Sequence, residues 1–168
     1  MVATKTLDDL IDSLGGIVPA VGDVFDPLSK KEIQEIGAKY DYELPLIVVE
    51  LLSRFGAFRF NEYVYYTPAK PFPKSYSKSN RGILGVFFGK LSKAYPKAKA
   101  ISLARQIEIH DEDFEEDFLP IADNGAGDIV GVRLSNGTVE LWVHDAPKGK
   151  EVSHVNASLD GWVASLEN

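Results

Sequence analysis

Residues 117–145 read DFLPIADNGAGDIVGVRLSNGTVELWVHD, and this stretch decides the fold. An apolar Leu-Pro-Ile segment runs into a polar, glycine-rich turn, after which residues 128–134 have the composition of a strand. Asn136-Gly137 is a strong signal for a two-residue hairpin turn. Residues 138–143 are therefore predicted to form the partner strand of an antiparallel hairpin.

Helical patterns precede this hairpin at the N-terminal end of the chain. Apolar residues spaced i, i+3, i+4 and i+7 over residues 7–14 predict a short amphipathic helix, which Thr6 caps and Gly15-Gly16 ends. Ser29 and Glu32 fit a capping box, which predicts the start of a second helix.

A third helix is predicted from Leu44-Pro45 to Gly56, since proline is tolerated in a first helical turn. The β-branched run Ile47-Val48-Val49 within it favours a strand instead. Residues 17–27 contain two prolines and a Gly-Asp pair, so they are predicted to be an irregular connection after the N-terminal helix.

The centre of the chain alternates short apolar runs with a long polar segment. Residues 58–66 predict one or two short strands, and residues 83–88 are an apolar run of strand length. Residues 67–81, rich in proline, serine and lysine, are predicted to be a long surface loop. An apolar stripe around Trp162 predicts a closing helix, in which Gly161 costs about 1 kcal/mol relative to alanine. This order predicts an α+β fold with N-terminal helices, a central, mostly antiparallel sheet and a C-terminal helix.

Length and composition predict a single domain over residues 1–168. The hydrophobic share of 45% and the charged share of 26% are those of an ordinary globular protein. The absence of cysteine excludes disulfides, thiolate metal sites and a cysteine nucleophile. The N-terminus lacks the apolar core of a signal peptide, and no window approaches the roughly 20 apolar residues that span a bilayer. A cytosolic protein without a membrane partner is expected.

The net charge of −7 is unevenly distributed. Residues 64–106, here called the basic block, contain nine Lys or Arg residues and no Asp or Glu. Tyr65, Tyr66, Phe72 and Tyr76 lie in or near it, and aromatic residues beside cations bind single-stranded nucleic acid in some proteins. The acidic remainder of the chain argues against nucleic-acid binding. A solvated loop, or pairing with the protein's own acids, is the preferred interpretation.

A second charged segment, residues 111–117, concentrates six acids around one phenylalanine. One interpretation is a solvated turn that aids solubility. The other is a docking surface for a basic protein, with the aromatic ring as an apolar anchor among the charges. Calcium binding is not predicted, because the twelve-residue loop with its glycine and terminal bidentate glutamate is missing. The predicted partner-binding residues are Asp111, Glu112, Asp113, Phe114, Glu115 and Glu116.

Catalytic and metal-binding patterns are weak. His144 and Asp145, at the end of the second hairpin strand, offer acid–base groups for a small-molecule enzyme. The alternative is that Trp142 packs in the core and His144 satisfies a backbone group. The glycine-rich turn 124–128 does not fit a dinucleotide fingerprint, because a strand and not a helix follows it. The three histidines lack metal-ligand spacing, so neither a metal nor a cofactor is predicted.

Three segments carry a family pattern. The first is the helix that opens at Leu44-Pro45 and ends near Gly56. The second, and most specific, is the Leu-Pro-Ile-Ala segment with its Gly-Asp step and the later Trp-x-His ending. The third is the helix around Trp162. The residues of this structural signature are Leu119, Pro120, Ile121, Gly127, Asp128, Trp142, His144 and Trp162. Together the segments resemble the SUKH superfamily of small α+β proteins, which includes bacterial immunity proteins and fungal cell-wall-assembly regulators.

The resemblance implies a non-enzymatic protein-binding module, and more specifically a bacterial immunity protein that neutralises a toxin by direct binding. Nuclease toxins are often basic because they bind phosphates, so an acidic surface would compete with nucleic acid and speed association. A regulatory or scaffold protein that binds an endogenous partner is the first alternative. A small-molecule enzyme that uses His144 and Asp145 is the second.

Overall fold

Within residues 5–73 and 80–168, which the computed structural model describes, the chain has five α-helices and nine strands. The helices are α1 (Leu7–Ser13), α2 (Lys30–Gly37), α3 (Leu46–Arg54), α4 (Leu103–Ile109) and α5 (Leu159–Ala164). The strands are β1 (Ile17–Pro19), β2 (Phe58–Phe60), β3 (Tyr65–Tyr66), β4 (Gly82–Ile83), β5 (Val86–Phe87), β6 (Phe118–Asp123), β7 (Ile129–Arg133), β8 (Val139–Trp142) and β9 (Val152–Asn156). This order confirms the predicted α+β fold, with its N-terminal helices, antiparallel central sheet and C-terminal helix.

The central sheet has seven strands in the order β1-β2-β5-β6-β7-β8-β9, and all neighbours are antiparallel. β3 and β4 form a separate two-stranded sheet. β7 and β8 are the predicted hairpin, in which Ile129 lies opposite Trp142. β6, β7 and β8 are buried along almost their whole length, so both faces of the sheet are covered at its centre.

Different elements cover the two faces. Directly opposed residues of neighbouring strands share a face, and one such row comprises Phe58, Phe87, Ala122, Val130 and Leu141. The Phe87 ring lies 6.3 Å from the ring of the fully buried Trp162 in α5. On the opposite face, the Trp142 ring lies 4.9 Å from the ring of His110, which ends α4. α5 and the end of α4 therefore enclose the sheet from two sides.

Local caps explain where the helices begin and end. Thr6 caps α1 and Ser29 forms a capping box at the start of α2, as predicted, and Thr6 also forms a capping box with Asp9. Pro45 occupies the N-cap position of α3, and Gly56, with φ +67°, follows its end. The helical pattern therefore outweighs the strand preference of Ile47-Val48-Val49. No helix of the described segments is long and apolar enough to cross a membrane.

Three element predictions need correction. Residues 17–27 are not entirely irregular, because they begin with β1, a three-residue strand on the edge of the sheet. No strand was predicted in residues 144–158, but they contain β9, which forms the opposite edge of the central sheet. The run 83–88 is not one strand, because β4 and β5 belong to different sheets. The chain changes sheet at Gly85, whose N–H donates to the carbonyl of Asp123 at 2.8 Å.

The hairpin turn between β7 and β8 is longer than predicted. The N–H of Gly137 donates to the carbonyl of Arg133 at 2.7 Å, and the N–H of Arg133 donates to the carbonyl of Thr138 at 2.8 Å. Four residues, 134–137, therefore form the loop. Only Gly137 has a positive φ, whereas the predicted two-residue turn needs two such residues.

The predicted loop 67–81 is described only in part. Residues 67–73, 80 and 81 belong to no helix or strand. Phe72 is only 5% exposed, so this segment contributes to the core as well as to the surface. Lys74, Tyr76 and Lys78 of the basic block lie outside the described residues.

Candidate functional site

The most specific part of the sequence signature folds into one contact between Asp128 and His144. The Nδ1 atom of His144 lies 2.8 Å from Oδ1 of Asp128, and the backbone N–H of His144 donates to the same oxygen at 3.1 Å. Oδ2 of Asp128, which is 5% exposed, accepts the side-chain amide of Asn124 at 2.9 Å. The hydrogen bond with Asp128 raises the pKa of His144. The Gly127-Asp128 pair and the Trp-x-His ending are thus joined by one contact, which connects the glycine-rich turn to the end of β8.

Asn124 organises the glycine-rich turn itself. Its Oδ1 atom accepts the N–H of Ala126 at 2.9 Å and that of Asp128 at 3.2 Å. Gly125 and Gly127 have φ of +78° and +98°, so they permit the tight turn, as predicted. β7 follows the turn, so the helix N-terminus of a dinucleotide site is missing there.

Three side chains near this contact could offer ligand atoms to a metal ion, those of Asp128, His144 and Asp145. One such atom from each lies within 4.8 Å of the corresponding atoms of the other two residues. The oxygens of Asp128, however, already accept hydrogen bonds from Asn124 and from both the ring and the backbone of His144. The ring of His144 is bonded to Asp128 and not to its chain neighbour Asp145, the pairing expected for an acid–base site. This arrangement favours a structural link over catalysis, and sequence reasoning missed the Asp128–His144 pairing because 16 residues separate the two.

The predicted partner-binding residues lie in the turn between α4 and β6, residues 110–117, here called the acidic turn. The exposed side chains are those of Asp111, Glu112, Asp113, Glu115 and Glu116. Oδ2 of Asp113 lies 2.9 Å from Nδ1 of His110. Within residues 5–73 and 80–168, the other four carboxylates have no cationic group within 4.0 Å. Their charge is therefore open to an external partner.

Phe114 holds the acidic turn against the sheet. Its half-buried ring lies 4.8 Å from the ring of His110, 4.7 Å from that of Phe118 and 5.4 Å from that of Trp142. Because these contacts cover much of the ring, only part of it is available as the predicted apolar anchor. The aromatic cluster fixes the position of the carboxylates around it.

A groove of about 520 Å³ lies beside the acidic turn. Phe114, Glu115 and Glu116 line it together with Lys39 and Tyr40, which follow α2. Sequence reasoning missed Lys39 and Tyr40 because about 70 residues separate them from the acidic turn and no local pattern links the two segments.

Asp117, the last acid of the segment, faces inward. Its Oδ1 atom lies 2.9 Å from an Arg133 nitrogen, and its Oδ2 atom accepts the hydroxyl of Ser135. Burial acts to raise the pKa of Asp117, but the Ser135 hydrogen bond and the charge of Arg133 outweigh it and lower the pKa. Burial raises the pKa of Glu140, which lies 4.0 Å from Arg133. Asp117 thus fastens the start of β6 to the β7–β8 hairpin.

Two of the described cations of the basic block, Lys90 and Arg81, pair with the protein's own acids. Tyr66 is 1% exposed and Phe72 is 5% exposed, so neither ring is open to a nucleic-acid base. The Lys90 ammonium lies 3.2 Å from the Asp26 carboxylate and 3.6 Å from that of Glu32. These contacts agree with the interpretation that block residues pair with the protein's own acids.

Comparison with known proteins identifies a family. The family model for the SMI1 / KNR4 family (SUKH-1) matches residues 27–165. This range contains the whole structural signature, the acidic turn and every described helix and strand except α1 and β1. Comparison with curated proteins found no match, and comparison with solved structures found none either.

Proposed function

Because the chain belongs to the SMI1 / KNR4 family (SUKH-1), we propose that it is a protein-binding module that docks a basic partner protein on its acidic turn. Members of this family are generally non-catalytic. The observation that carries the proposal is the set of exposed carboxylates beside a concave, aromatic surface, four of which have no ion-pair partner in the part of the chain that the structure describes. Like charges so close together do not stabilise a turn by themselves, so folding does not account for them.

The more specific part of the proposal is that the chain is an immunity protein that neutralises a toxin. The partner is a toxin with a basic surface, such as a nuclease domain, and neutralisation occurs by stoichiometric occlusion. Exposed charges of this kind act chiefly on the association rate, whereas well-packed anchors set the dissociation rate. An acidic surface would therefore capture a basic toxin quickly and compete with its nucleic acid.

The test is co-expression with the product of the adjacent gene in a sensitive host. We expect this chain to restore growth and to form a complex of equal stoichiometry, measured by calorimetry with purified proteins. Replacing Glu112, Glu115 and Glu116 with glutamine should weaken binding by about tenfold or more and reduce its salt dependence.

A matched control separates a local effect from net charge. Asp12→Asn, Asp23→Asn and Glu62→Gln also remove three exposed negative charges, but from α1 and from the segments that follow β1 and β2. This variant should bind nearly as the unmodified chain does. Equal weakening by the two variants would show that the acidic turn is not the docking surface. If the product of the adjacent gene is harmless and does not bind this chain, a regulatory or scaffold role with an endogenous partner would be favoured instead.

A further inference from the structure

The groove beside the acidic turn combines aromatic walls with a charged rim. Tyr40, Phe114 and Phe118 supply the aromatic surface. The rim carries four carboxylates, those of Glu108, Asp111, Glu115 and Glu116, and one facing cation, Lys39. At about 520 Å³, the groove is large enough to receive a long side chain together with its flanking backbone.

The aromatic walls are held in place by contacts that do not involve a partner. The hydroxyl of Tyr40 donates to the backbone carbonyl of Phe118 at 3.3 Å. The half-buried Phe114 ring packs against those of His110 and Phe118. The groove is therefore preformed, so a ligand would not have to order its walls.

The rim carboxylates are not neutralised from within. Among the residues that the structure describes, Glu108, Glu115 and Glu116 have no cationic atom within 4.0 Å, and Lys39 forms no ion pair across the groove. Carboxylates and aromatic rings in one groove suit a guanidinium group, which is planar, weakly hydrated, able to stack on a ring and able to bind a carboxylate through two hydrogen bonds. A lysine ammonium is a compact and strongly hydrated charge, so it gains less from such walls.

We propose that this groove receives an arginine side chain of the partner protein, which rests on the proposed docking of a basic partner at the acidic turn. The guanidinium would lie against Phe114 or Tyr40 and pair with Glu115 or Glu116. Lys39 on the facing rim would oppose the bound charge and so limit affinity.

The test compares two peptides of equal length and charge, acetyl-Gly-Arg-Gly-Arg-Gly-amide and its lysine counterpart, titrated into the full chain and followed by NMR. We expect the arginine peptide to bind at least about threefold more tightly, the size of an exposed cation–π contact. Glu116→Gln should weaken binding of the arginine peptide, whereas Glu62→Gln, which removes an exposed charge after β2 and outside the groove, should not. Lys39→Ala should strengthen it.

A change in the aromatic wall gives a separate readout. Phe114→Leu should remove most of the preference for arginine, provided that thermal unfolding shows a folded protein. If this variant does not fold, the Glu116 and Lys39 variants decide the question, since both side chains are exposed. Equal binding of the two peptides overturns the arginine groove while leaving the acidic docking surface intact. Equal loss from Glu62→Gln and Glu116→Gln also overturns the groove, because binding would then follow net charge alone. Absence of binding by both peptides also overturns it, and toxin binding by the glutamine variants then decides the proposed function separately.

Discussion

At the scale of single residues, Asp128 shows how one buried carboxylate joins two distant parts of the sequence. It accepts hydrogen bonds from the side chain of Asn124 and from both the backbone and the ring of His144. A buried carboxylate is costly unless its oxygens are satisfied, and these partners satisfy it. The family pattern at these positions therefore has a structural explanation that requires no catalysis.

The Asp128–His144 contact predicts a specific dependence of stability on pH. The hydrogen bond with Asp128 raises the pKa of His144 above its ordinary value of 6.5 in the folded protein. The folded state therefore holds the proton more tightly than the unfolded state, and this stabilisation is complete below about pH 6.5 and is lost as pH rises through the folded pKa. The stability difference between the unmodified chain and Asp128→Asn should shrink in thermal unfolding as the pH rises above about 6.5.

An NMR titration measures the same contact directly. The titration midpoint of the His144 ring should fall in Asp128→Asn, because the negative partner is gone. A stability difference that stays constant over this pH range, together with an unchanged midpoint, would contradict the contact.

At the scale of elements, two helical glycines have opposite roles. Gly37, the last residue of α2, has no positive φ, and a β-carbon there would lie 3.7 Å from the Leu44 side chain, an ordinary contact. A β-carbon on Gly161 in α5 would lie 2.8 Å from Oγ of Ser158 and 2.9 Å from Oδ1 of Asn156. Ser158 is the N-cap of α5 and accepts the N–H of Gly161 at 3.0 Å.

We expect Gly37→Ala to raise the free energy of unfolding by up to about 1 kcal/mol, the helix preference of alanine over glycine. Gly161→Ala should give no gain or a net loss, since displacing the cap costs about 1 kcal/mol. Urea denaturation of both variants measures the difference. Equal gains would show that the α5 cap adjusts without cost.

The same elements show which parts of the fold could be predicted from the sequence. The starts of α1 and α2 depend on contacts three residues apart, so Thr6 and Ser29 identify them locally. β1 and β9 are edge strands without a clear alternating pattern, and they exist because β2 and β8 offer them partners. In the hairpin turn, Oδ1 of Asn136 accepts the N–H of Thr138 at 3.0 Å. Asn136 does not have the positive φ that a two-residue turn of this type requires.

At the scale of the whole molecule, the sequence predicts only the acidic turn of the candidate site and not the other residues that line the groove. The acids and the phenylalanine of the acidic turn are adjacent in sequence and were identified from composition. The facing wall, Lys39 and Tyr40, reaches the groove only because α2 and α4 lie near each other in the fold. The inward role of Asp117 was likewise hidden, since its partner Arg133 is 16 positions away.

The part of the chain outside the family match gives a last prediction about the whole molecule. Residues 5–26 contribute α1 and β1, and β1 pairs with β2 so that Ile17 lies opposite Phe60. Leu14 is 2% exposed and belongs to the main core.

A chain that starts at residue 27 would leave β2 as an unpaired edge and would expose the apolar surface under α1. Its free energy of unfolding should therefore fall by more than the roughly 2–5 kcal/mol that one buried Leu→Ala change costs. Urea denaturation measures this loss of stability, and Leu14→Ala in the full chain gives the reference loss for one buried side chain. A shortened chain that unfolds at the same urea concentration as the full chain would show that the family-matched range folds independently of α1 and β1.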